Sequence, residues 1–404
     1  MSDDKKNILI AYPHLLLPHR GGTERVACTV GEALRAKGFS VFYLSHCVPD
    51  SEDTSSLSSY HFVLSQKLTA EERKNAVMAL CKSHEIDVVI NEGGEFGYFD
   101  IFSKHVLGPA TKVITCLHFD VYGEIKYFRR DRQYRNITTS RFKRCIVHLL
   151  TALRLDPYRF KFYFSKKRKH QQMLEISDAV VVPTPVIADQ LKKITGIKSE
   201  KIFSILNPVS FESTSPRYDV SLKEKVILYV GRFSPDKNVD IIIKAWEQLA
   251  PKYSEWRLEI AGDGEMREAL HDLVHDRNIP RVIFHGHVKD VIPLYNRAEY
   301  VVLASDCESH PCVIQEALLF GCYPIVFAFP AARCLIFSNR IGSIINKHHV
   351  DCLADELACV IDNSVSNKKN VCVIENFMSK YNPQLIGDEW NQLLENLVFQ
   401  KSDC

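Results

Sequence analysis

Two glutamates eight residues apart, with a proline between them, form the most pointed chemical pattern in the chain: E-S-H-P-C-V-I-Q-E at 308–316. On one continuous helix their backbones would stand roughly 12 Å apart along the axis at 1.5 Å per residue. That is too far for both side chains to share a small ligand. Proline favours the first helical position, so the pattern predicts a loop carrying Glu308, an N-cap at His310 and a helix opening at Pro311. Cys312 and Val313 then fall in the first turn, where backbone N–H groups lack helical partners and favour an anion. Glu316 lies about one turn further on. A loop acid followed by a solvated helix acid would produce the same spacing, so the pattern needs company.

Other residues supply it. In G-R-F-S-P-D-K-N (231–238), Arg232 offers a planar fork and Lys237 a point charge, a pair suited to a diphosphate, although both could be plain surface charges. I-A-G-D-G-E (260–265) is a common turn sequence whose backbone could also edge a flat ring. In G-G-T-E-R-V (21–26), Gly21 and Gly22 permit close backbone approach ahead of a helix start, or simply make a tight turn. His118 closes V-I-T-C-L-H. A lone histidine is more often structural, but this one stands at a strand end. His271 with His275, and His285 with His287, have no third ligand at metal spacing, so no metal is expected.

The elements that must position these residues alternate along the chain. Short apolar runs at 6–12, 39–45, 86–91, 113–117, 178–183 and 201–206 read as strands, with helices at about 24–37 and 187–194. The polar stretch 211–218 reads as a linker. The alternation restarts with strands at 226–231, 257–262, 282–286, 300–305 and 323–328, and helices at 239–250, 265–277 and near 289–298. Continuous apolar strands suit parallel sheets covered on both faces. Two doubly wound α/β domains are predicted, 1–210 and 211–384, with an amphipathic helix at 385–400 completing the first. Each sheet would present ligand groups at its strands' carboxyl ends, with a cleft between the domains.

Composition agrees. The chain has 404 residues, 46% hydrophobic and 25% charged, suited to two or three soluble domains. No apolar run approaches a membrane span, and the acidic start M-S-D-D-K-K does not read as a signal peptide. The 13 cysteines are scattered without a C-x-x-C pair, so a reduced, cytosolic setting is expected.

In order and spacing, the G-G pair, G-R-x-x-x-x-K, A-G-D-G, H-G-H-V at 285–288, E-x7-E and A-L-x-x-G-C-x-P-I-V resemble glycosyltransferase family 4, retaining group 1 enzymes of GT-B fold. The likeness is strong over 225–328 and weaker elsewhere. It implies that Arg232 and Lys237 bind the donor diphosphate, Glu308 the donor sugar, Glu316 the ribose, and the Cys312 and Val313 amides the phosphates. Gly262 and Val288 join the donor-binding set, Gly21 and Gly22 close over the donor, and His118 faces the transferred sugar and acceptor. It further implies a UDP-, GDP- or other nucleotide sugar donor with no metal or other cofactor. Ser309-His310-Pro311 stands where many relatives carry Gly or Phe-Gly, and 328–340 lacks their Gly-rich run.

A basic block completes the reading. Between Lys126 and Lys169, fifteen Lys/Arg face two acids, a local +13 that leaves −11 to the rest of a chain of net +2. Interleaved aromatics fit an anionic membrane surface carrying a glycan or lipid-linked acceptor, with a solvated basic helix as the plain alternative; nucleic acid is not expected. The expectation is a retaining glycosyltransferase in polysaccharide, capsule or lipopolysaccharide assembly, cytosolic or peripheral on the inner face of the cell membrane. The rivals are a sugar-nucleotide epimerase, a phosphorylase of like architecture, and a silent binding subunit.

Overall fold

The computed structural model of the chain describes residues 6–55, 57–94, 96–123, 157–209, 220–337, 341–363 and 371–398, with side chains of 157–161, 220 and 371–373 left aside. The linker expected at 211–218 and the basic pieces 126–135 and 141–155 lie outside the described residues. The chain divides into two compact units, 1–119 with 164–212 and 380–404, and 120–163 with 213–379.

In the first unit the order is β1 (Asn7–Tyr12), α1 (Gly22–Ala36), β2 (Ser40–Val48), β3 (His61–Ser65), α2 (Ala70–Ser83), β4 (Val88–Asn91), α3 (Lys104–Leu107), β5 (Lys112–Cys116), α4 (Pro157–Ile176, which begins in the other unit's span), β6 (Ala179–Val182), α5 (Pro185–Thr195) and β7 (Ile202–Ser204). Its seven strands run in the order β3-β2-β1-β4-β5-β6-β7, and every pairing is parallel. Ile8, Leu9 and Ile10 are fully buried, worth roughly 2 kcal/mol each relative to exposure. This is why β1 reads as an unbroken apolar run rather than an alternating one.

In the second unit β8 (Glu224–Val230), α6 (Val239–Leu249), β9 (Arg257–Ala261), α7 (Arg267–Asp276), β10 (Val282–Gly286), α8 (Ile292–Arg297), β11 (Ala298–Leu303), α9 (Cys312–Leu319), β12 (Tyr323–Phe327), α10 (Ala332–Leu335), β13 (Ser343–Ile345), α11 (Val350–Asp362) and α12 (Val371–Ser379) follow one another. The strand order is β10-β9-β8-β11-β12-β13, again all parallel. The last helix, α13 (Pro383–Val398), returns to the first unit and packs on α1. Gly387 makes that contact close, since a Cβ there would lie 3.0 Å from the Ala33 Cβ. Lys37 and Asp388 pair beside it.

The two doubly wound parallel sheets are those of the fold class read from the sequence. Elements the apolar pattern passed over include β3 and α2 in one unit and β13 in the other, half-buried or edge pieces where the period is weak: β3 has no fully buried residue. The pattern also misses α11, an amphipathic helix that buries Leu353, Leu357 and Val360 in the core.

In each sheet the strand order reverses once, between β1 and β4 and between β8 and β11. Loops leaving the carboxyl ends of such a pair diverge and leave a crevice for a ligand.

Candidate active site

In the second unit, the loop after β8 carries Arg232 and Lys237, and the loop after β11 carries Glu308. These are the two strands at the reversal, so residues 71 apart meet: the Lys237 Nζ donates to Glu308 Oε1 at 2.5 Å. Asp236 Oδ2 lies 3.6 Å from the same nitrogen. Burial works against the Lys237 ammonium, but Glu308 and Asp236 together hold it above the ordinary lysine value. Two further bonds lock the loops together. Asn238, in the left-handed region at φ +54°, donates from its buried amide to the Ala304 carbonyl at 2.7 Å, and Asp306 N–H donates to the Asp236 carbonyl at 2.9 Å. Arg232 is exposed, and its guanidinium has no hydrogen-bond or ion-pair partner among the described residues. Lys237 is held charged by its carboxylate partners, whereas Arg232 has no such partner among the described residues.

The A-G-D-G sequence is required by a close backbone approach. Gly262 sits at φ +151°, and a Cβ there would lie 1.8 Å from the Gly231 carbonyl oxygen; one at Gly264 would lie 2.6 Å from the Phe233 carbonyl oxygen. The β9 loop therefore lies flush against the Arg232 loop, and Phe233 N–H donates to Asp263 O at 2.8 Å. Gly262 N–H donates to Gly286 O at 2.8 Å, tying in the β10 end that leads to half-buried Val288.

The helix after Glu308 opens one residue later than the sequence pattern predicts. Pro311, at φ −70° and ψ 118°, is the N-cap, and Cys312 begins α9. The extended ψ places proline just outside the helix, a one-residue shift of the kind helix ends commonly show. Cys312 and Val313 still occupy the first turn. His310 is buried, and burial lowers its pKa to about 4. The two glutamates have separate protein partners: Glu308 takes Lys237, while buried Glu316 accepts a hydrogen bond from the Tyr295 hydroxyl at 2.7 Å.

In the first unit, α1 starts at Gly22, two residues earlier than the sequence reading placed it. Gly21 is an extended N-cap and Glu24 sits buried in the first turn. His118 follows β5, and its Nε2 lies 2.6 Å from Glu92 Oε2, with the two side chains only 9% and 1% exposed. Glu92 was not among the residues the sequence singled out. It follows β4 directly and is brought to His118 because Gly94 presses against the next strand end: a Cβ there would lie 2.5 Å from the Cys116 carbonyl oxygen. The signal available was N-E-G-G, an acid and two glycines at a strand end. Glu92, Cys116 and His118 present donor atoms within 4.8 Å of one another, and a small cavity beside them is lined by Val26, Val30, Asn207 and Trp390. The histidines set aside as metal ligands have other neighbours. His285 binds Glu259 at 2.8 Å, and His271 stacks on Phe284 at 4.0 Å.

This arrangement can bind a diphosphate-bearing ligand at the second sheet and place a carboxylate-oriented imidazole at the first. Residues 210–376 match the family Glycosyl transferases group 1, and residues 20–213 match Glycosyltransferase Family 4. The chain is 25% identical over 339 residues to an uncharacterised glycosyltransferase of Haemophilus influenzae, covering 79% of this chain and 94% of that one. It is 26% identical over 348 residues to a Campylobacter jejuni GalNAc-alpha-(1->4)-GalNAc-alpha-(1->3)-diNAcBac-PP-undecaprenol alpha-1,4-N-acetyl-D-galactosaminyltransferase, covering 78% and 91%. Among solved structures it is similar to Anabaena HepE in complex with UDP and glucose, with a TM-score of 0.72 at 15% identity over 97% of this chain and all of that one. The two family matches together run from residue 20 to residue 376, and the chain belongs to the family 4, group 1 glycosyltransferases.

Proposed function

We propose that the enzyme moves a sugar from a nucleoside diphosphate sugar to a hydroxyl of a lipid-linked glycan, with retention of the anomeric configuration, in the assembly of a surface polysaccharide or glycolipid. The observation that carries this is the meeting of Lys237 and Glu308 at the strand reversal ahead of the α9 start, with Arg232 exposed on the same loop as Lys237. Fixed cations and a helix N-terminus aimed at one place are what a departing diphosphate needs. The relatives support the chemistry: one acts on a diphospho-undecaprenol glycan and one was solved with UDP and glucose.

In the reaction the bond from the anomeric carbon to the diphosphate oxygen breaks, and the leaving charge falls to Arg232, Lys237 and the Cys312 and Val313 N–H groups. The acceptor oxygen forms its bond to the same face of the sugar, and its proton passes to a donor phosphate oxygen. Glu308 holds both Lys237 and the donor sugar, Glu316 holds the ribose, and backbone at Gly262, Val288, Gly21 and Gly22 edges the ligand. His118, oriented by Glu92, serves the acceptor side. Arginine, lysine and the helix dipole take the place of a metal ion. The basic segment 126–170 attaches the enzyme to an anionic membrane face on the cytosolic side. Its described part includes Lys167, Arg168 and Phe164, the last 61% exposed. Among the described residues no helix is long and apolar enough to cross a membrane.

A panel of sugar nucleotides tested for binding and slow hydrolysis is the direct experiment, and failure to bind any of them would overturn the proposal. Glu316→Ala should weaken nucleotide binding about tenfold, the worth of a hydrogen bond to a charged group, while Glu308→Gln should chiefly lower turnover. Reversing charge at Arg129, Arg130, Lys167 and Arg168 should release the protein from anionic vesicles; unchanged binding would refute membrane attachment.

A further inference from the structure

Glu316 does not stand alone in its helix. It is 4% exposed, and the hydroxyl that donates to its Oε2 belongs to Tyr295, which is fully buried on α8. A carboxylate inside a protein needs such a donor, and its two oxygens together accept about four hydrogen bonds. Tyr295 therefore holds Oε2 and so fixes the orientation of the carboxylate.

The tyrosine is itself held at every point along its length. Its ring stacks on Phe320, one turn beyond Glu316, with centroids 5.9 Å apart and planes 6° from parallel. Its backbone carbonyl accepts from the Lys223 Nζ at 2.8 Å and from the Cys322 Sγ at 3.1 Å. The same ammonium also donates to the Ala298 and Phe320 carbonyls, both at 2.7 Å. Lys223 thus ties the end of α8, the start of β11 and the end of α9 into one knot. Burial lowers its pKa, so three carbonyls in close contact matter to keeping its charge. A ring clamped by stacking, with its backbone anchored by an ammonium, has little freedom to swing, and its hydroxyl is a fixed donor.

We infer that Tyr295 is a positioning residue for ribose recognition: its hydroxyl sets the rotamer of Glu316 so that the carboxylate meets the vicinal ribose hydroxyls of a nucleoside diphosphate. The inference rests on the proposed role of Glu316 and adds a substrate requirement. The enzyme should discriminate ribonucleotides from their 2′-deoxy counterparts through the Tyr295–Glu316 pair, and Tyr295→Phe should blunt that discrimination while leaving the diphosphate grip intact.

The test measures dissociation constants of UDP, GDP and their 2′-deoxy forms on the full chain by calorimetry. For whichever base binds, wild type should favour the ribonucleotide by about tenfold, as expected for hydrogen bonds to a charged group. Tyr295→Phe should lose most of that ratio, weakening UDP or GDP about fivefold and the deoxy form hardly at all. A purely structural role would weaken both probes equally, and that outcome overturns the inference. So does a Tyr295→Phe ratio equal to wild type when Glu316→Ala abolishes it; the assignment of Glu316 to the ribose then survives. If Glu316→Ala keeps the wild-type ratio, the ribose assignment falls and the inference with it. Phe320→Leu keeps the hydroxyl but removes the ring stacked on it. It should give an intermediate ratio and carries the same comparison if Tyr295→Phe does not fold.

Discussion

The two units share one plan, a parallel sheet whose order reverses once, yet they use that reversal for different chemistry. At the β8/β11 reversal the loops bring Lys237 and Glu308 together in a partly exposed setting, with Arg232 exposed on the same loop and without an ion-pair partner among the described residues. In the first unit, β4 at the β1/β4 reversal and its neighbour β5 place Glu92 and His118 in contact, nearly excluded from water. The first arrangement suits binding and stabilising an anion; the second suits holding one imidazole in one orientation. The shared reversal offers a crevice in each sheet, and the side chains at the loop starts give the two places different chemical character.

The contrast can be broken experimentally. Lys237→Met should have the largest effect, lowering kcat/KM with the donor sugar nucleotide by about 10³, since one preorganised charge at the leaving group is removed. If turnover barely changes, the second unit does not stabilise a diphosphate. Glu92→Gln should lower kcat by up to about 100-fold, the scale of misplacing a group that positions a reactant, with nucleotide affinity unchanged. A matching loss of nucleotide affinity would erase the division of labour. Adding His118→Ala to Glu92→Gln should cost little more, because the pair acts as one unit.

A smaller difference concerns acid. In the first unit burial lowers the pKa of His46 to about 3 and those of His61 and His170 to about 4; in the second it lowers His310 to about 4. Each binds a proton more readily unfolded, so its stabilising effect is complete above about 6.5 and fades as pH falls toward the folded values. Over that window each histidine should shift its unit's opening equilibrium about tenfold per pH unit. Hydrogen exchange on the full chain should therefore show the first unit losing protection at higher pH than the second. Simultaneous loss would show that these histidines do not set its acid response. The smallest effect expected is none: EDTA should leave transfer unchanged, and loss of activity restored by a divalent ion would make Glu92, Cys116 and His118 the first place to look.

The regular alternation of apolar runs with helical stretches made both sheets legible, because strands buried on two faces are mostly apolar. The loop with Arg232 and Lys237 and the E-x7-E stretch could be singled out from the sequence, being short segments whose charged residues stand near one another along the chain. Pro311 correctly divided loop from helix, although its extended ψ set it outside the first turn instead of within it. Glu92 and Tyr295 were not legible. Each is placed by touching a residue 26 or 21 positions away; N-E-G-G marks Glu92 as an acid at a strand end but does not report its partner, and the Tyr295 stretch carries no such mark.

By itself, then, the sequence determined the two-sheet plan, the order of the loops and the residue types that could bind a phosphate, because these follow from local hydrophobicity, turn chemistry and charge. Only the tertiary structure decided the pairings: Lys237 with Glu308 rather than with solvent, Glu92 with His118, Tyr295 with Glu316. Pairing across strands depends on which loops the strand order makes neighbours, and no single stretch of chain encodes that order.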